Sequence, residues 1–304
     1  MIYTVTTNPN IDYYMTLGAP LAVGAINRAA SEACCAGGKG INVSIMLSRL
    51  GVSNRALGFT AGHVGDMLER MLAQEGCACD FVRLSRGETR INVKLTGTCE
   101  TAINGKGPTP EPHDADALLR RLDALSKADT LVLSGNVQSG AADLFERLMQ
   151  RAADAGAALV VDTEGAALTS ALRYRPLLVK PNREELAALC GRPLDTLDAV
   201  QEAARELQRC GAQNVLVSMG ADGALLLGSD GICRRAWTDA QGCVVSTVGA
   251  GDSMVAGFLA GLSGGLDEAL RLGTAAGTAT AFAPVLAART EVLRLRACVC
   301  TEHF

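Results

Sequence analysis

From Pro112 onward, short apolar runs alternate with longer stretches in which apolar residues recur at helical spacing. The short runs are Thr130-Leu131-Val132-Leu133-Ser134, Leu159-Val160-Val161-Asp162, Leu177-Leu178-Val179-Lys180 and Asn214-Val215-Leu216-Val217-Ser218. Around them the spacing predicts helices over 113–126, 140–155, 165–172, 183–190 and 197–210. Strands apolar throughout and separated by helices predict a parallel sheet covered on both faces. A hairpin over 224–237 follows, turning at Ser229-Asp230-Gly231, then a helix opening at Asp252 and another over 266–283.

The N-terminal part is less regular. Ile2-Tyr3-Thr4-Val5-Thr6 reads as a strand halted by Asn8-Pro9-Asn10, which puts Asp12 just past a strand end, where α/β proteins bind ligands. Helices are predicted over 41–50 and 64–74, ended by Gly51 and Gly76, with a strand over 56–59. Runs at 13–17, 25–35, 81–84, 89–96 and 100–104 have strand character but no helix to pair with. They predict a separate small sheet. No repeat, low-complexity tract or long linker interrupts the chain, so one α/β domain over 1–304 with an inserted β lid is expected.

Composition narrows the class. The 304 residues are 48% hydrophobic and only 4% aromatic, with 33 glycines, which favours a tightly packed α/β protein. A net charge of −4 without a basic block argues against nucleic acid as a partner. No apolar run reaches membrane-spanning length and no signal pattern opens the chain, so a cytoplasmic protein is expected. The eleven cysteines are scattered and odd in number, which suits reduced thiols; Cys77/Cys79 and Cys298/Cys300 lack zinc-site spacing.

Candidate chemistry sits where runs end. In Thr247-Val248-Gly249-Ala250-Gly251-Asp252-Ser253 a turn with little side chain opens an apolar helix, leaving backbone N–H groups uncovered for an anion. Asp252 could take a proton from a hydroxyl there, or merely cap the helix. In Lys180-Pro181-Asn182-Arg183-Glu184-Glu185, Asn182 and Glu185 stand three apart, which suits either a capping box or hard-oxygen contacts to Mg²⁺ through water. Ser218-Met219-Gly220-Ala221-Asp222-Gly223 is either a tight turn or a place where a nucleotide can come close. Arg90, Asn92 and Lys94 share one strand face, solvated or turned to a substrate phosphate. Gly37-Gly38-Lys39-Gly40 with Asn42 opens another helix, and Arg28 on an early lid strand can add charge. A Walker phosphate loop is excluded, because Gly40 follows Gly38-Lys39.

Taken in order, these residues resemble the ribokinase-like (PfkB) family of carbohydrate kinases, from Thr4 to about Ala283. The resemblance rests on Gly37-Gly38-Lys39-Gly40-Ile41-Asn42, Asn182-Arg183-Glu184-Glu185 and Val248-Gly249-Ala250-Gly251-Asp252. Asn8 to Asp12, Thr89 to Lys94, Ile103 to Pro108 and the segment after Asp252 are similar to the branch that acts on fructose 1-phosphate, with a tagatose 6-phosphate branch as sister.

The resemblance implies a three-layer α/β/α core with a mostly parallel sheet and a β lid, and an ATP- and Mg²⁺-dependent transfer to a sugar hydroxyl. It implies Asp252 as general base and the Gly249, Ala250 and Gly251 amides as anion hole. Asp12, Gly38 and Asn42 would hold sugar hydroxyls, and Lys39, Arg90 and Arg28 the sugar phosphate. Lys180, Asn182, Ser218, Gly220, Gly223 and Gly277 would lie along ATP, with Asn182 and Glu185 in the outer shell of the metal. A homodimer through the lids is implied as well. Three segments depart from the pattern: Asn10 replaces a small residue, Ser134-Gly135-Asn136-Val137-Gln138 lacks the usual Pro, and Glu164 stands where Ser is common. A non-catalytic sugar-phosphate binder on this fold is the alternative of another class.

Overall fold

A computed structural model describes residues 1–97, 100–135, 142–240 and 242–304. In chain order the first part comprises β1 (Ile2–Thr6), β2 (Asn10–Leu17), β3 (Ala29–Gly37), α1 (Lys39–Arg49), β4 (Asn54–Ala61), α2 (Gly62–Gln74), β5 (Ala78–Cys79), β6 (Val82–Leu84), β7 (Arg90–Thr96) and β8 (Thr101–Asn104). There follow α3 (Pro112–Arg120), β9 (Thr130–Ser134), α4 (Ala142–Asp154), β10 (Ala158–Asp162), α5 (Gly165–Ala171), β11 (Leu178–Val179), α6 (Arg183–Cys190), α7 (Leu197–Arg209) and β12 (Asn214–Ser218). The last part is β13 (Ala224–Leu227), β14 (Cys233–Thr238), α8 (Ala250–Gly261), α9 (Leu266–Ala281), α10 (Arg289–Arg296) and β15 (Val299–His303).

The large sheet runs β15-β14-β13-β12-β11-β10-β9-β1-β4-β5, with β6 paired to β4. It is parallel from β5 to β12 and antiparallel from there to β15. Strand pleating explains the layering, because successive side chains point to opposite faces. Leu131, Leu133, Leu159, Val161, Val215 and Val217 join the core formed with α3 to α7. The residues between them, Val132, Val160 and Leu216, join the opposite core beneath α1, α8, α9 and α10. Both faces are therefore covered, as the apolar strands required.

On the second face α8 and α9 touch main chain to main chain. A Cβ at Gly257 would lie 2.5 Å from the Leu272 carbonyl oxygen and 2.9 Å from the Gly273 Cα, so only glycine allows this approach.

The small sheet has the order β3-β2-β7-β8. Its root is apolar: Ile11 and Ala36 are buried with Ile41 and Ile45 of α1 and Leu68 and Leu72 of α2. Only Gly38 separates the end of β3 from the start of α1.

Several boundaries differ from the sequence reading. Asp12 is the third residue of β2 rather than part of a connection, because pairing with both β3 and β7 starts at Asn10, directly after Pro9. The strand expected over 25–35 begins at Ala29. Upstream, the Asn27 side chain bonds Ala22 N–H and the Ala22 and Ala25 carbonyls, closing a turn where strand pairing would otherwise occur. The 81–84 run belongs to the large sheet, since β6 pairs in parallel with Phe59–Ala61 of β4. The helix expected over 113–126 ends at Arg120 and continues as tight turns that bury Leu122 and Leu125. Beyond Ala283, α10 packs on α9 and β15 pairs with β14, neither anticipated. Residues 136–138 of the departing Ser134 segment lie outside the described residues.

Among the described residues no helix is long and apolar enough to cross a membrane, and the ten cysteines are free thiols.

Candidate active site

Asp252 is the third residue of α8 and only 5% exposed. The turn before it needs Gly249, which sits at φ 77°, a left-handed conformation costly for other residues. Ala250 N–H bonds the Thr247 carbonyl, and Ser253 N–H is the first to turn back into the helix, onto Gly249. The Gly251 and Asp252 amides between them belong to the open first turn, where the helix dipole is positive. Asn42 Nδ2 of α1 donates to Asp252 Oδ2 at 2.8 Å.

Two more charges meet this turn. Lys180, just after β11, and Asp162, the last residue of β10, form a buried ion pair with Nζ–Oδ1 at 3.1 Å. A Cβ at Gly251 would lie 3.0 Å from Lys180 Nζ, so the ammonium stands beside the turn and the missing side chain makes room for it. Burial, reinforced by the Asp162 charge, pushes the Asp252 pKa up to about 7, while the Asn42 hydrogen bond and the Lys180 and Lys39 charges pull against it. Burial also works against the Lys180 ammonium, but Asp162, Asp252 and Glu185 together raise its pKa. The arrangement holds a cation beside the open amides and a carboxyl that titrates near neutrality.

These groups open on one cleft of about 1190 Å³ between the two sheets. Every residue to which the resemblance gives a catalytic, sugar, nucleotide or metal role reaches its wall except Arg28: Asp12, Gly38, Lys39, Asn42 and Arg90 on one side, Lys180, Asn182, Glu185, Ser218, Gly220, Gly223 and Gly277 on the other, with Gly249, Ala250, Gly251 and Asp252 at the junction. Arg28 is exposed in the connection before β3, outside this wall and not on a strand. Asp162 is the residue that sequence reasoning passed over, because an acid ending a strand carries no signal until Lys180 is seen beside it.

On the small sheet, Arg90, Asn92 and Lys94 do share the cleft face. Asn92 donates to Asp12 Oδ1 at 3.1 Å, Lys94 to Asn104 Oδ1 at 3.2 Å and Arg90 Nη2 to Asn10 Oδ1 at 3.4 Å. Arg90 Nε is buried and has no hydrogen-bond partner among the described residues, while the half-buried side chain lines the cleft, where its outer guanidinium nitrogens can meet an acceptor. Burial lowers its pKa, opposed by the Asp12 charge.

Opposite, Asn182 and Glu185 form a true capping box: Asn182 Oδ1 accepts from Glu185 N–H at 2.7 Å, and Glu185 Oε2 from Asn182 N–H at 2.8 Å. Both residues still line the cleft. The Ser218 turn is a single 3₁₀ turn over Gly220–Asp222, tied to α6 by Arg183 Nη2 on Asp222 Oδ2 at 2.7 Å.

A profile of "pfkB family carbohydrate kinase" matches residues 8–287. The chain belongs to the PfkB family of carbohydrate kinases. It is 40% identical to the 1-phosphofructokinase of Bacillus subtilis over 97% of each protein. It is 37% identical to the D-tagatose-1-phosphate kinase of Bacillus licheniformis over 93% of each. Phosphofructokinase-2 from Escherichia coli, solved with substrates and products, superposes with a TM-score of 0.88 at 30% identity, covering 97% of this chain and 98% of that one. This PfkB kinase is accordingly a phosphotransferase with a hydroxyl acceptor, and its mixed α/β core with a separate small sheet is the ribokinase-like fold.

Proposed function

We propose that this PfkB kinase transfers the γ-phosphoryl group of ATP to the C6 hydroxyl of fructose 1-phosphate. The observation that carries the reading is Asp252: a buried carboxyl beside open helix amides, with cationic groups on both sides of it along one cleft. The relatives named for ketose 1-phosphates support the substrate class.

In this reading Lys39 and Arg90 hold the phosphate at C1, and Asp12, Gly38 and Asn42 meet the ring hydroxyls. Asp252 takes the C6 proton as that oxygen bonds the γ-phosphorus; the bond from the γ-phosphorus to the β–γ bridging oxygen breaks and ADP leaves. The Gly249 and Gly251 amides and the Lys180 ammonium take up charge on the transferring oxygens, and the Ala250 amide joins them by giving up its 3.2 Å bond to the Thr247 carbonyl. The nucleotide runs along Asn182, Ser218, Gly220 and Gly223, with its base toward Gly277, where Met254 and Phe282 also line the cleft. The small sheet, acting as a lid on the 1–304 domain, excludes water, the competing acceptor.

Mg²⁺ bound to the nucleotide would neutralise phosphate charge. Asn182 and Glu185 are assigned to its outer shell: Asn182 Oδ1 and Glu185 Oε2 accept within the capping box, and Glu185 Oε1 is left for a water of that shell. No group of three His, Cys, Asp or Glu side chains able to hold a metal occurs among the described residues.

The proposed homodimer joins the outer faces of the small sheets, where Ile91 and Ile103 are 41% and 60% exposed. Sedimentation at low micromolar concentration tests it: a monomer there refutes the pairing. A cytoplasmic location accords with this substrate and with the free thiols.

A second reading, transfer to tagatose 1-phosphate, is favoured by the relative of that name and keeps the same free C6 hydroxyl. ADP production from fructose 1-phosphate, tagatose 1-phosphate, fructose 6-phosphate and tagatose 6-phosphate decides among substrates. The highest kcat/KM is expected with fructose 1-phosphate; a preference for either 6-phosphate removes the proposed orientation.

A further inference from the structure

We propose that Asn42 is a positioning residue for the general base, fixing the rotamer and the ionised form of Asp252 in addition to any contact with the sugar. The inference rests on the reading of Asp252 given above.

The geometry is specific. Asn42 is in the first turn of α1 and Asp252 in the first turn of α8, 210 positions apart in the chain, yet Nδ2 meets Oδ2 at 2.8 Å. That bond occupies one carboxylate oxygen and leaves Oδ1 for a substrate hydroxyl. A carboxylic acid side chain has a broad, nearly two-fold terminal torsion, so without a partner the reactive oxygen would be poorly placed. An amide N–H donating to an oxygen also favours the ionised carboxylate over the acid.

Asn42 is the uncharged member of the set around this carboxyl. Asp162 at the end of β10 opposes its ionisation, while Lys180 after β11 and Lys39 at the start of α1 favour it. Asp12 and Arg90 face it from the small sheet across the cleft. Both lysines have other work to do, Lys180 with Asp162 and Lys39 facing the cleft. The Asn42 amide is the hydrogen-bond donor to the Asp252 side chain found in the structure.

Asn42 also links the base to the small sheet. Gly38 alone connects β3 to α1, and Asn42 N–H bonds the Gly38 carbonyl at 2.9 Å. The donor that sets Asp252 thus stands one helical turn from the strand that would close over substrate.

The test is the pH dependence of single-turnover phosphoryl transfer to fructose 1-phosphate at saturating ATP and sugar, in Asn42→Ala and in the near-isosteric Asn42→Asp. Single turnover reads the chemical step rather than product release. In Asn42→Ala the acid limb should move to higher pH by about one unit, the scale of a lost hydrogen bond to a charged group. In Asn42→Asp it should move further, because two carboxyls then share the site. An acid limb unmoved in both variants, with only the KM for fructose 1-phosphate raised, overturns the proposal and leaves Asn42 a sugar contact. A limb that moves in Asn42→Asp but not in Asn42→Ala overturns it too, since the native amide would then do nothing. Neither result touches the kinase reading, which fails instead if the wild-type enzyme phosphorylates no ketose phosphate or if Asp252→Asn is as fast as wild type.

Discussion

The two walls of the cleft are built differently. On the large-sheet wall, Asp162, Lys180 and Asp252 are 3, 6 and 5% exposed and each is held by a strand end or a helix start. On the small-sheet wall, Arg90 and Lys94 project from a half-buried strand, and their hydrogen bonds to Asn10 and Asn104, at 3.4 and 3.2 Å, are long. On the first wall these charged side chains are already engaged, Lys180 with Asp162 and Asp252 with Asn42. On the second, Arg90 Nε has no partner among the described residues. On the proposed function, reaction chemistry falls to the large sheet and choice of substrate to the small one, so mutations on the two sides should fall on different kinetic constants.

The largest effect is expected on the large-sheet side. Asp252→Asn should lower kcat by at least about a hundredfold while ATP affinity survives, as read by ADP release and nucleotide titration. A near-wild-type rate would take the base away from that wall. Arg90→Ala should raise KM for fructose 1-phosphate roughly tenfold or more, with kcat and the KM for ATP within about twofold. Loss of kcat instead would blur the division between the walls.

The pH profile sharpens the same contrast. With the Asp252 pKa raised to about 7, its ionised fraction falls as pH drops through neutrality. The kcat/KM of the free enzyme should therefore decline about tenfold per pH unit below that point. A rate flat down to pH 5 would show that burial and Asp162 do not hold the proton there. Lys94→Ala should matter least, changing KM by no more than about threefold, because an exposed ammonium is well screened.

Legibility in the sequence followed the same division. The helix-opening turns at Gly38 and Gly249 could be read because glycine before an apolar helical run has few other meanings. The Asn182–Glu185 spacing was legible as a shape but ambiguous in purpose, and the structure realises the capping arrangement without removing either residue from the cleft. Contacts between remote segments were not legible at all. Nothing in the chain announces that Asn42 touches Asp252, or that Asp162 pairs with Lys180. The three-residue β6 was misassigned because so short a run carries no partner information, and β15 escaped notice because its short run ends in the polar Thr301, Glu302 and His303. Arg28 failed for a local reason: the Asn27 turn takes the chain away from strand geometry just before it would reach the wall.

Gly257 carries a consequence for how this enzyme can change. With no side chain between the Asp252 helix and its neighbour, the spacing of the two backbones is set by atomic contact and cannot be retuned by small substitutions. If Asp252 is the base proposed above, the phosphoryl-transfer point is a fixed datum, and adaptation to a differently shaped sugar has to come from the opposite strands moving toward or away from it.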